Sequence, residues 1–93
     1  MGRLSKATLL DIRLSAICTR NQYTHDPGPV IDELRQVAGS HTDILAMVAG
    51  TWAGYYRNPH TSELADALLQ VEGATDWVEL GIKRRGAEPH KTP

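Results

Sequence analysis

The stretch VAGTWAGYYRNPH, residues 48 to 60, holds three of the chain's five aromatic side chains, Trp52, Tyr55 and Tyr56, among Ala and Gly. Extended back to Ile44 and wound at about 100° per residue, it separates into two sides. Ile44, Leu45, Val48, Trp52, Tyr55 and Tyr56 share a sector about 120° wide, and Ala46, Ala49, Gly50, Ala53 and Gly54 fill the next. Met47 and Thr51 lie between them, and no charge appears from Ile44 until Arg57. A helix that is apolar all round is buried all round, so residues 44 to 56 predict the central rod of an all-α domain. Gly50 and Gly54 each cost about 1 kcal/mol relative to Ala in a helix interior, a loss that close approach of another backbone would offset.

Two readings of that rod are open. In the first, its bulky side packs against the second and fourth helices and its smooth side against the first. In the second, four short neighbours leave part of it uncovered, and Trp52, Tyr55, Tyr56 or the Gly50 and Gly54 track meets a partner or a second copy. Aromatic side chains are enriched at such interfaces, whereas small residues four apart are only weakly diagnostic outside membranes.

The rest of the chain fits a compact bundle of four to five short helices. Ninety-three residues make one domain, and a chain of that size buries only about 60 to 65% of its unfolded surface. With no Phe, the core falls to Leu, Ile, Val, Ala and a few Trp and Tyr, which suits packed helices better than stacked sheets. Ser5 is placed to cap a first helix to about Thr19, although Leu10, Ile12, Leu14 and Ala16 also alternate as a strand would. TRNQYTHDPGP is a loop. Pro29 suits the first position of a second helix, whose stripe is Val30, Ile31, Leu34, Val37 and Ala38, with Gly39 as a left-handed cap. Ser40 and Asp43 stand at capping-box spacing before the central helix, with Thr42 as a rival cap. After RNPHTS, Thr61 or Ser62 opens a fourth helix that Gly73 stops, and Thr75 with Asp76 opens a fifth. From Gly86 the segment GAEPHKTP has no apolar anchor and reads as a mobile tail, 86 to 93, beyond a single domain of residues 1 to 85.

Charge is unevenly distributed. Residues 26 to 79 carry nine acidic and two basic side chains, while the first 25 and the last fourteen residues each come to +3. Nucleic-acid binders run a basic face through their folded part, so the acidic middle argues against a duplex as partner. One candidate remains on that side: SELADALLQVEGATDWVELGIKRR has the outline of a helix-turn-helix, with Lys83, Arg84 and Arg85 as phosphate contacts and Trp77 beside them. Against it, the turn glycine comes late, at Gly73, and the reading helix opens with Thr75, Asp76 and Glu79, whose carboxylates would meet phosphates.

Several chemistries have no signature. His25, His41, His60 and His90 lie in loops, caps or the tail, never four apart on a helix, and Cys18 has no second thiol, so no metal site is expected. His25 beside Asp26 has no nucleophile to serve, and Asp32 with Glu33, or Asp76 with Glu79, reads as a solvated face. A non-enzyme without cofactor is expected. The lone Cys18, set among Leu14, Ala16 and Ile17, reads as a small buried apolar group in a reducing cytoplasm. MGRLSK misses the myristoylation pattern at Lys6, and the uncharged run 44 to 56 is too short for a membrane span of about 20 residues.

DILAMVAGTWAGYY followed by EGATDWVELGIKRRG resembles a loose set of small all-helical proteins of unknown function from actinobacteria and their phages. Those proteins carry an Ala/Gly-rich central helix, then a Gly-Ala step to Trp, an aliphatic residue, Glu and Gly before a basic ending. Trp77, Val78, Glu79, Gly81, Arg84 and Arg85 match that ending, the similarity covers roughly residues 30 to 86, and the step from Gly73 to Trp77 is shorter here. The resemblance implies a phage or mobile-element accessory protein that binds and diverts a host protein, such as a component of the growth and division, replication or transcription machinery. The sequence therefore points to a cytoplasmic protein-interaction domain. Trp52, Tyr55 and Tyr56, with Gly50 and Gly54, are its candidate contacts, and Trp77, Lys83, Arg84 and Arg85 are secondary ones. A DNA-binding regulator and a self-assembling structural protein or homodimer are the alternatives.

Overall fold

Ser5 opens the first element. Its hydroxyl accepts the Thr8 backbone N–H at 3.0 Å, which satisfies one of the donors a helix start leaves unpaired. From there α1 runs Lys6–Arg20. The structure, a computed structural model, describes residues 4–87. Leu14, Ile17 and Cys18 turn inward from α1, while Ile12 and Ala16 stay outside. The alternation that a strand would share is thus resolved as helix.

The second helix, α2, spans Gly28–Ala38 and so begins one residue before Pro29, which still occupies the first turn. Gly39 takes the expected positive φ, at 57°, but its ψ of −122° lies outside the left-handed helical well; its N–H returns to the Arg35 carbonyl at 2.9 Å. Neither Ser40 nor Thr42 caps the central helix α3, Thr42–Tyr56. The His41 N–H bonds the Ala38 carbonyl at 2.9 Å and the His41 carbonyl takes the Leu45 N–H at 3.1 Å. That turn puts His41 at the cap, where it makes no side-chain bond, and the capping box does not form.

Buried Thr61 turns the chain after α3. Its hydroxyl donates to the Tyr56 carbonyl at 2.8 Å and accepts the Asn58 N–H at 3.0 Å, so it closes the end of α3 rather than bonding the start of α4, Ser62–Leu68. Gly73 does not stop α4, which ends five residues earlier. Instead, at φ 86°, Gly73 starts a short 3-10 helix, Ala74–Trp77, that continues into α5, Val78–Ala87. The fifth helix therefore passes the expected domain edge at residue 85. The remainder of the expected tail, residues 88–93 with His90, lies outside the described residues.

The rod α3 packs against every other helix, and α1, α2 and α4 follow one another around it, α1 touching α2 and α2 touching α4. Leu14, Leu34, Leu64 and Leu68 are fully buried in the shared core, each contributing about 1.5–3 kcal/mol. The smooth side of α3 meets the 3-10 helix and α5, not α1. A Cβ built on Gly50 would overlap the Ala74 carbonyl oxygen, and one on Gly54 the Val78 carbonyl oxygen. From the other side, a Cβ on Gly81 would overlap the Thr51 carbonyl oxygen and stand 2.8 Å from the Tyr55 nitrogen. Each glycine thus turns a Cα–H toward a carbonyl of the facing helix, a recurring close-packing contact. Since Gly50 meets residues 74 and 77 while Gly54 meets 78 and 82, the two helices run in the same sense, with α4 in the crossover between them. Small residues four apart allow this approach wherever a partner helix offers a matching gap, and Gly81 is that gap. Among the described residues no helix is long and apolar enough to cross a membrane.

Candidate functional site

The aromatic side of α3 runs from the core to the surface. Trp52 is 4% exposed, and its Nε1 donates to Thr19 Oγ1 of α1 at 3.1 Å, the partner a buried indole needs. Tyr56 lies against it, ring centroids 4.8 Å apart, and Tyr55 against Tyr56 at 4.6 Å, both pairs tilted. Tyr55 is half-buried and Tyr56 is 39% exposed. Of the three expected aromatic contacts, Trp52 is therefore committed to the core, and only the two tyrosines offer surface. The Gly50 and Gly54 track is corrected outright: both glycines are buried beneath the 3-10 helix and α5 of the same chain.

The tyrosines edge a cleft of about 230 Å³ between α1 and α5. Met47, Val48 and Thr51 of α3 form its floor together with the aromatics. One wall is the polar edge of α1, Asp11, Ser15 and Thr19, with Ser15 Oγ donating to Asp11 Oδ1 at 3.1 Å. The other wall carries Arg84. Thr51 Oγ1 is buried without a hydrogen-bond partner among the described residues. Small-molecule sites are usually about 300–1,000 Å³, so the cleft suits one or two anchoring side chains better than a cofactor.

The basic cluster of α5 does not act as one patch. Steps of about 100° carry successive helical side chains around the axis: Arg84 reaches the cleft, Arg85 Nη1 donates to the Arg57 carbonyl at 3.2 Å, and Lys83 is exposed. Trp77 is half-buried, its Cβ beside Gly50. Asp11, Ser15 and Thr19 were missed from sequence, although their spacing of four does mark a polar edge on α1. Gly81 was missed as a contact too, and an uncompensated glycine inside a helix was its signal.

The remaining titratable groups are structural or solvated. His25 Nδ1 meets Glu63 Oε1 at 3.0 Å, joining the first loop to α4, rather than engaging Asp26. Among the described residues no group of three His, Cys, Asp or Glu is placed to hold a metal ion. Cys18 is fully buried; burial pushes its thiol up to about 12, against a smaller lowering by a backbone hydrogen bond, so it packs as a neutral group. Compared with protein-family models, curated proteins and solved structures, the chain matches none.

Proposed function

We propose that this chain is a non-enzymatic protein-interaction domain whose contact surface is the cleft between α1 and α5, with Tyr55, Tyr56 and Arg84 at its edge. The observation that carries the reading is the aromatic ladder. Trp52 is held in the core by Thr19 and backs Tyr56, on which Tyr55 packs in turn, and the two tyrosines are partly exposed beside a floor of Met47, Val48 and Thr51. Rigidly backed Tyr side chains beside a groove are the kind of anchor on which binding energy concentrates. A phage or mobile-element accessory role, diverting a cytoplasmic host protein, fits a small domain that blocks a surface with one such spot. Trp77 and Lys83 fall outside this surface.

Site-specific photocross-linking tests the reading. A photoreactive residue in place of Tyr56 should capture one host protein that the same residue in place of Asp32, on α2, does not. The purified partner should then bind the wild type and lose binding to Tyr55→Ala, with helical circular dichroism unchanged. Equal capture from both positions would contradict the proposal. So would DNA retention that disappears in Arg84→Ala with Arg85→Ala, or a concentration-dependent mass of the chain alone that disappears in Tyr56→Ala.

A further inference from the structure

We infer that the outer face of α1 docks on an anionic bilayer surface, with Leu9 and Ile12 seated among the lipids and Lys6 and Arg13 at the headgroups. The cleft takes no part in this contact. Residues 4–9 are all exposed, and every side chain that α1 buries, Leu14, Ile17 and Cys18, lies in its second half. A helical stretch that short is marginal in water by itself, so its first turns gain from a surface to lie on. Wound at about 100° per residue, α1 divides into three sides. Leu10, Leu14, Ile17 and Cys18 face the core, and Asp11, Ser15 and Thr19 face the cleft. The third side, a sector about 120° wide, holds Ile12, Ala16 and Leu9, with Arg20, Arg13 and Lys6 along one flank, all exposed. Leu9 is 47% and Ile12 52% exposed, and Leu4, just ahead of the helix, is 57% exposed. No carboxylate of α1 lies in that sector, since Asp11 points about 160° away from its centre. Arg20 is tied to Glu33 of α2 at 3.2 Å, whereas Lys6 and Arg13 form no ion pair among the described residues.

Charge and shape together select the occupant. Unpaired cations without a neighbouring carboxylate fit an anionic surface. Nucleic acid would supply the charge but nothing to bury Leu9 and Ile12, and this face has no ring on which a base could stack. A second copy fits poorly, because a two-fold pairing of α1 on α1 that crosses at Ile12 would set Arg13 beside its own copy. The face is also a convex ridge: none of the clefts of the fold includes Leu9, Ile12 or Arg13, so no pocket waits there for a protein anchor. Aliphatic side chains along a crest with Lys and Arg beside them are the form of a helix lying in a bilayer interface.

Sedimentation of the full chain with sucrose-loaded vesicles, of phosphatidylcholine alone or with about a third phosphatidylserine, tests the inference. The chain is expected on the anionic vesicles only, and less of it as salt rises. Leu9→Ser with Ile12→Ser should release it. Arg13→Ala should weaken binding by about fivefold, whereas Arg35→Ala, the same loss of charge on α2, should leave it unchanged. All four positions are exposed, so these variants keep the fold, which unchanged helical circular dichroism checks. Binding to neither vesicle, equal binding to both, equal weakening by Arg13→Ala and Arg35→Ala, or retention of the Leu9→Ser, Ile12→Ser variant would overturn the inference. So would a concentration-dependent mass of the chain alone that Ile12→Ser removes, which would make a second copy the cover, or retention of duplex DNA that Arg13→Ala removes. Photocross-linking from Tyr56 is read independently of these outcomes, so the two readings fail separately.

Discussion

At Gly81 a hydrogen atom stands where any other residue would drive a methyl group into the Thr51 carbonyl of the facing helix. Alanine is the better helix former by about 1 kcal/mol, yet overpacking against backbone that cannot swing aside costs about 1–3 kcal/mol and more where two helices must separate. Gly81→Ala is therefore expected to lower the unfolding free energy by about 2 kcal/mol in urea titration. Gly86→Ala, in the same helix with nothing within 4 Å of the added atom, should leave it unchanged or slightly raised. Equal midpoints for the two variants would mean that the α3 and α5 backbones do not touch. Cys18 makes a second residue-scale case. Its folded pKa of about 12 lies above the ordinary 9.0 because burial disfavours the thiolate, so the unfolded chain ionises first. The resulting stabilisation is complete below about pH 9 and is lost as pH rises toward 12. The stability difference between wild type and Cys18→Ala should accordingly be flat through neutral pH and shrink by about 1.4 kcal/mol per unit above that point. A difference that stays constant to alkaline pH would show the thiol to be solvated.

Among the elements, α3 is started without a side-chain cap, as α2 and α4 are, yet is the best sheathed. It opens at His41 with no side-chain bond, and an Asp or Ser at a helix N-cap is worth about 1 kcal/mol. His41→Asp is thus expected to raise the thermal midpoint by a few degrees, whereas a change at Ser40, one residue outside the cap, should do little. Differential scanning calorimetry separates the two. The existence of the helices was legible because their apolar stripes, such as Leu64, Leu68 and Val71, and their Pro and Gly breaks act locally. The start of α3 was not, because Ser40 and Asp43 have the right spacing but the His41 to Ala38 turn bond shifts the cap by one residue. Nor did the spacing of Gly50 and Gly54 reveal which neighbour they meet, since a smooth side accepts any helix. That choice depends on the distant Gly81 and on the parallel crossover, which is long-range information. The same limit explains why Trp52 read as a contact: its hydrogen bond partner, Thr19, lies 33 residues away.

For the whole molecule, one rod decides both the stability and the surface. Because α5 takes the smooth side of α3, while α1, α2 and α4 take part of the rest, the opening falls between α1 and α5, and the half-exposed tyrosines lie there. Four of the nine acidic residues of the middle lie on α2 and α4, where Glu33 pairs with Arg20 of α1 at 3.2 Å. The fold and its surface both depend on α3 being sheathed within a single chain. Amide hydrogen exchange of residues 45 to 54, followed by mass spectrometry across a wide range of protein concentration, tests this most directly. These amides should exchange only through global unfolding, the slowest in the molecule, at rates independent of concentration. Fast exchange in dilute solution that slows as concentration rises would place the sheath in a second molecule and contradict the account.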